Sequence, residues 1–382
     1  MGALVIPLLP FIAYEFNLSA TQTGLVISAF SITNGISQLP GGFLSDKLGP
    51  RRVVTISICG IGVSGVLVGL SSNFAFMLAF LVFLAIFGGG YHPAVPPLLA
   101  ASVKPEIRGK AFGFHIIGGN AAFFIAPFIG AGIAAIWTWR GAFISLSIPA
   151  IIFGVIFYIM IGKIILKQSK PKNTDSISDS TSRNWVGKQG QLTLFILLTA
   201  IVSSLSTSAS SFLPFFTQER FAVSAAAAAI YVGVLNSSGL WASPVGGHLS
   251  DRIGTIPTLL ISCVAAGPVI FLLTVSPFGI AYVILLLLWG ALMGIRMPSM
   301  ESYIMNTANP KRVSTIFGIS YAAGQHGTGL LAPLLGYLID NSGYITAYQI
   351  IAILSLIVTL ILGPLLWRTE RNFKIREAQT VE

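Results

Sequence analysis

The sequence predicts an all-α membrane protein of twelve transmembrane helices in two pseudo-symmetric six-helix bundles. Three observations carry that expectation. Of the 382 residues, 54% are hydrophobic and only 9% are charged, whereas a soluble domain carries roughly 25% charged residues. Dividing the chain by a span plus short loop of about 30 residues gives about twelve to thirteen helices. Finally, the chain repeats itself at an offset of 205 residues. The composition excludes disordered, fibrous and ordinary soluble proteins. It also excludes a single-span anchor with a soluble domain, because the longest polar interval, Lys167–Gln191, is too short to fold alone.

Apolar runs place the spans at 1–15, 21–44, 53–72, 74–102, 110–136 and 141–165, then at 192–216, 224–249, 256–275, 278–303, 314–339 and 345–367. The second is closed by Lys47, Arg51 and Arg52, and the third is a glycine-rich helix with Gly60, Gly62, Gly65 and Gly69. The fourth carries Gly88, Gly89 and Gly90 and ends at Lys104, Arg108 and Lys110. The fifth carries Gly113, Gly118, Gly119, Pro127, Gly130 and Gly132. Small faces of this kind allow close packing in lipid, where burial alone drives little association. Six basic residues follow the sixth span, Arg252 follows the eighth, Lys311 and Arg312 the tenth, and four more the twelfth. In total 19 of the 22 Lys and Arg lie on that side, against Arg140 and Arg220 on the other, with Arg296 inside a span. The excess marks the cytoplasmic side and places both termini there. The net charge of +10 is therefore topological, and no nucleic-acid partner is implied. Cys59 and Cys263 both fall in apolar segments and read as packed thiols.

The repeat is specific. Gly42-Phe-Leu-Ser-Asp46-Lys47-Leu-Gly49 recurs as Gly247-His-Leu-Ser-Asp251-Arg252-Ile-Gly254, and Pro93 pairs with Pro298 at the same offset. Ala126-Pro127-Phe-Ile-Gly130 matches Ala332-Pro333-Leu-Leu-Gly336 at 206. The expected organisation is a bundle at 1–166, a cytoplasmic linker at 167–191, a second bundle at 192–367 and a tail at 368–382. Repeats of this kind put substrate sites near the membrane midplane between the halves. Leu213-Pro214-Phe215 aligns with Leu9-Pro10-Phe11 at 204. By that register the first helix lacks about a dozen residues, so an upstream start or a truncation is expected.

The loop Gly42-x-Leu44-x-Asp46-Lys47-x-Gly49-x-Arg51-Arg52 and its copy resemble the major facilitator superfamily of secondary transporters, over almost the whole chain. The resemblance implies alternating access by two rocking bundles, with these loops locking the cytoplasmic gate. The second copy keeps Gly247, Asp251, Arg252 and Gly254, but Thr255 and Ile256 stand where basic residues are often found. Span five loosely resembles the glycine-proline motif of the antiporter branch. Tyr91-His92-Pro93 resembles an element of the fosmidomycin-resistance-like branch. Both lean toward export.

Arg296 and Glu301 are the acid or base charges inside the spans, and intramembrane charge is costly and usually functional. Five residues separate them, about 140° around a helix, so each is expected to have a partner elsewhere. Arg296 suits an anionic substrate group or a structural role. Glu301 suits a gate pair with Arg252 or Arg312, or a proton-carrying carboxylate. His92 suits the coupling proton or neutral packing. The repeat sets Tyr91 and His92 level with Arg296 and Met297. A second polar tier comprises Asn34, Gln38, His115, Asn120, Gln325 and His326, for which interhelical hydrogen bonding is the simpler reading. The hydroxyl run Ser203–Ser211 could wet a cavity wall, or bond back to its own helix. No phosphate-binding glycine loop or nucleophile–base–acid set is present, so neither ATP drive nor enzyme chemistry is expected, and no cofactor or metal. The expectation is a monomeric plasma-membrane protein that moves a small solute, with protons as coupling ion. Export, uptake of an organic anion and a transporter-like sensor remain open.

Overall fold

The computed structural model describes residues 2–103, 108–168, 185–307 and 313–381. Among them the regular structure is helical, with no strand. The first half contains α1 (Gly2–Phe16), α2 (Ala20–Leu48), α3 (Pro50–Gly69), α4 (Phe74–Ser102), α5 (Arg108–Ile136) and α6 (Trp139–Gln168). The second contains α7 (Trp185–Phe221), α8 (Ala225–Ile253), α9 (Thr255–Val275) and α10 (Ile280–Thr307). The stretch Val313–Val381 breaks at Gly343 (φ 76°, ψ 166°) into α11 (313–342) and α12 (344–381). That conformation lies outside the helical basin, and glycine adopts it readily. Among the described residues the helices number twelve, as the apolar pattern and the repeat require.

Some boundaries differ from the sequence expectation. Most of the expected linker, 169–184, lies outside the described residues, as do Lys104, Lys311 and Arg312. Helix α7 begins at Trp185, seven residues before the apolar run that forecast it. Helix α12 continues through the expected tail to Val381.

The chain sorts into two compact units, with α7, α8 and α11 divided between them. The first holds the described residues of Met1–Thr174 with Ser211–Gly233 and Ala332–Asp340, and the second holds those of Asp175–Ser210, Val234–Leu331 and Asn341–Glu382. In the first unit glycine permits backbone contact. A Cβ on Gly41 of α2 would fall 2.6 Å from the Cα of Gly90 on α4, and one on Gly69 of α3 would fall 2.7 Å from the Arg140 carbonyl of α6. The span-five glycines behave differently. Gly130 faces Leu4, but Gly118, Gly119 and Gly132 have no heavy atom within reach of an added Cβ. Generic close packing, the simpler reading of the span-five glycines, therefore holds among the described residues for Gly130 and not for the other three.

The first turn of α2 is fully capped. The Ser19 hydroxyl accepts from the Gln22 amide (3.2 Å), and the Gln22 side chain accepts from the Ser19 amide (2.9 Å). The free amides of Ala20 and Thr21 donate to the Asp340 carboxylate at 2.9 and 2.8 Å, and the Thr21 hydroxyl donates to it as well. Helix N-termini leave such amides without intrahelical partners, so a carboxylate there answers both the orphan donors and the helix dipole. Nearby in the same unit, Glu15 accepts from Trp139 Nε1 (2.7 Å) and pairs with Arg140, whose Nε and Nη2 both reach the Ser71 carbonyl at 3.2 Å.

The second unit packs around Phe195 and Leu198 of α7, Leu259 and Cys263 of α9, Tyr303 of α10 and Leu366 of α12. The Phe195 and Tyr303 rings stack at 3.9 Å, an aromatic pair worth about 0.5–1.5 kcal/mol beyond its buried area. Helix α8 meets α10 at Gly290, where an added Cβ would strike the Leu235 carbonyl.

Candidate functional site

The second unit contains a cavity of about 270 Å³ walled by α7, α10 and α11. Its α7 wall holds Ser203 and Thr207 from the hydroxyl run, and Thr199 one turn before it. The hydroxyls divide their work. Ser204 donates to the Gly324 carbonyl (3.1 Å) and Ser208 to the Thr328 carbonyl (3.4 Å), which fastens α7 to α11. Thr199 and Ser210 instead bond back to carbonyls of their own helix. Close approach of α7 and α11 depends on Gly327, where an added Cβ would strike Ser204. The cavity-facing hydroxyls of Ser203 and Thr207 follow from the remaining positions of the same turn.

Helix α10 supplies the charge. Arg296 lines the cavity and is 3% exposed. Its Nη1 donates to the Ser203 hydroxyl at 3.2 Å, while Nε and Nη2 have no partner among the described residues. Met293, Met297 and Met300 share this lining. Their spacing about Arg296 is helical, one residue from each turn of a single face, so the stripe is legible in the sequence beside the intramembrane charge.

Glu301, also on α10, accepts a 2.6 Å hydrogen bond from the hydroxyl of Tyr321, which lines the cavity from α11. The gate pairing considered for Glu301 is absent with Arg252 among the described residues, and Arg312 lies outside them. Gln325 lines the cavity too, whereas His326 is half-buried on α11 away from its named lining.

The remaining polar residues belong to the first unit. Tyr91 brings His92 and His115 together, its ring centroid lying 5.7 Å from one imidazole and 6.1 Å from the other. His92 is exposed and His115 half-buried. Asn34 donates to the Ala85 carbonyl at 3.3 Å, joining α2 to α4. Gln38 and Asn120 are half-buried. Thus the sequence candidates resolve into a histidine–tyrosine cluster in one unit and an arginine-lined cavity in the other.

The two loop copies share a backbone and differ in side chains. Gly49 (φ 87°) and Gly254 (φ 94°) occupy the same left-handed region directly before α3 and α9. This is the physical reason both copies end in glycine. Gly42 and Gly247 are half-buried, while Asp46, Lys47, Arg52, Asp251 and Arg252 are exposed. Arg51 grips α6: Nε and Nη2 donate to the Tyr158 carbonyl at 3.1 and 2.6 Å, and the guanidinium lies 3.9 Å over the Tyr158 ring. Ile256 in the second copy is instead buried in the core of its unit. Its apolar identity is thereby explained by packing.

The sequence matches the family model for the Major Facilitator Superfamily over residues 1–325 and 238–380. An uncharacterized MFS-type transporter, YceJ, of Bacillus subtilis (strain 168) is 24% identical over 379 residues, 98% of this chain and 95% of that protein. The multidrug resistance protein MdtG of Yersinia enterocolitica is 26% identical over 370 residues, 93% of this chain and 86% of that protein. Among solved structures, a bacterial homolog of the human lysosomal transporter Spinster, inward-facing and occupied, superposes with a TM-score of 0.78 at 15% identity, covering 97% of this chain and 93% of that one. A POT family transporter in complex with a thioalcohol-conjugated peptide gives 0.78 at 13% identity, covering 95% and 92%. At such identities the structural likeness concerns the fold.

Proposed function

The chain belongs to the Major Facilitator Superfamily, and from that premise we propose that it exports a small organic solute in exchange for protons. Membership makes it a multi-pass membrane transporter of small molecules and not an enzyme. The finer reading rests on the cavity in the second unit. It combines a methionine face, cavity-facing hydroxyls and a buried guanidinium, the mixture of apolar wall and few fixed polar groups typical of small-molecule sites. Outward transport is supported by the relatives named as multidrug resistance proteins.

In this reading the bundles 1–166 and 192–367 rock against one another, in a plasma membrane with both termini cytoplasmic, as the basic loops favour. The protein works as a monomer. Glu301 takes and releases the proton. Tyr321 holds its carboxylate and at the same time lines the cavity. Protonation of Glu301 therefore alters a hydrogen bond made by a cavity wall, which is a direct route from proton to solute. His92 in the first unit, exposed and beside Tyr91 and His115, offers a second proton stop. The repeated loops carrying Asp46 and Asp251 act as the cytoplasmic gate.

Proteoliposomes with an imposed pH gradient test this. Wild-type protein is expected to drive uptake or release of a reporter dye against its gradient. Glu301→Gln is expected to lose the gradient-driven component while retaining exchange of dye at equal pH. Wild-type, gradient-driven flux in both Glu301→Gln and His92→Ala would overturn the proton assignment.

A further inference from the structure

Arg296 poses an electrostatic problem that its own unit leaves open. A buried cation without a partner is strongly unfavourable, and buried charges are paired in nearly all folded proteins. Here a guanidinium 3% exposed makes one hydrogen bond among the described residues, to a neutral hydroxyl. The Arg140–Glu15 ion pair belongs to the first unit and does nothing for it. Glu301, on the same helix, is already engaged by Tyr321.

The unspent donors are informative. They are Nε and Nη2, which form one edge of the planar guanidinium. That edge presents two parallel N–H groups, the fork that matches a pair of oxygens on one anionic centre. A lone halide accepts this geometry poorly, and a neutral amide supplies one oxygen. The surroundings favour an attached apolar body. Met293, Met297 and Met300 line the same cavity, and thioether side chains adapt to ligands of varied shape. At about 270 Å³ the space suits a small molecule rather than a polymer.

We infer that the cavity selects an organic oxyanion, a carboxylate or phosphonate toward which Arg296 turns its buried Nε–Nη2 edge, with the apolar part of the ligand against the methionines. This rests on the transport reading above and narrows it to a substrate class. The ligand completes the ion pair that the protein leaves half-built. Binding therefore relieves a cost already present in the empty site.

The test is a binding series on the purified full chain in detergent, without any gradient, read by calorimetry and by thermal shift. The probes are benzoate, benzylphosphonate, benzamide and benzylamine, with chloride as the competing anion. Benzoate and benzylphosphonate are expected to bind about tenfold to a hundredfold more tightly than benzamide, the range of one charged hydrogen-bonded contact. Benzylamine is expected not to bind. Arg296→Lys keeps the charge and removes the fork, and is expected to weaken benzoate at least about tenfold. Arg296→Gln is expected to abolish the preference for anions while remaining at least as heat-stable as the empty wild type, since it removes an uncompensated buried charge. Equal binding of benzamide and benzoate would overturn the inference. So would an unchanged anion preference in Arg296→Gln, or chloride matching benzoate at equal concentration. A protein that binds benzoate but moves no solute in proteoliposomes would refute transport and leave the anion site standing. One that moves amines and binds no anion would refute the site alone.

Discussion

Replacing Asp340 tests the capping of α2 directly. Its carboxylate accepts the Ala20 and Thr21 amides at 2.9 and 2.8 Å, while Ser19 covers the Gln22 amide. The Thr23 amide already reaches the Ser19 carbonyl at 2.9 Å, so every donor in the first turn is accounted for. Asp340→Asn keeps one acceptor oxygen and removes the charge; Asp340→Ala removes both. Loss of a good cap costs about 1 kcal/mol, and a carboxylate at a helix N-terminus adds about 0.3–1 kcal/mol when exposed. The side chain is exposed, so the lower part of each range applies. The expected loss is about 0.5 kcal/mol for Asn and about 1 kcal/mol for Ala, a fall of about 1–3 °C in apparent Tm for a chain of this size. The effect depends on pH. Burial raises the Asp340 pKa, but hydrogen bonds from Thr21, Ala20 and Ser19 outweigh it and hold the carboxyl below its ordinary 3.8. Asp340 lies just beyond the apolar run that ends at 339, in the last helical turn of α11 before Gly343. A lowered pKa in the folded state means the stabilisation is complete above the unfolded value. It is lost as pH falls through the folded one. The gap in Tm between wild type and Asp340→Asn should therefore be constant near neutrality and close below about pH 4. Thermal unfolding in detergent at fixed scan rate measures it. An unchanged Tm in Asp340→Ala, alongside a clear fall in Ser19→Ala, would refute the reasoning.

Glycine positions should split sharply by environment. Gly290→Ala forces a methyl into the Leu235 carbonyl and is expected to cost about 1–3 kcal/mol by overpacking, or to prevent accumulation. Gly118→Ala and Gly119→Ala meet open space and should leave Tm unchanged or raise it slightly; a large fall in either would contradict the packing described for α5. The Glu15–Arg140 pair has side chains 41% and 25% exposed, so a double-mutant cycle should give a coupling of no more than about 1 kcal/mol. Asp46→Asn should slow flux while leaving solute affinity nearly intact. A lost affinity at unchanged rate would rule out a gating role.

Much of the architecture was legible in the chain alone. Apolar runs and their charged borders define helices because lipid demands that each backbone polar group be satisfied within its own segment. The repeat then fixes their number. The loop glycines were legible as well, since Gly49 and Gly254 sit at φ values that side chains avoid. Arg296 could be singled out because charge inside a span is rare. What the chain could not declare was where its donors point. Only packing decides that, among the described residues, Nη1 of Arg296 meets Ser203 while its other edge finds no hydrogen-bond partner, or that Glu301 meets Tyr321 and not a gate arginine. Asp340 is the clearest case. In sequence it is one acid in a polar turn, 320 residues from Ala20. Its role as the cap of α2 exists only because the fold brings the two together, and hydrogen bonding falls off too steeply with distance and angle for a linear pattern to encode it.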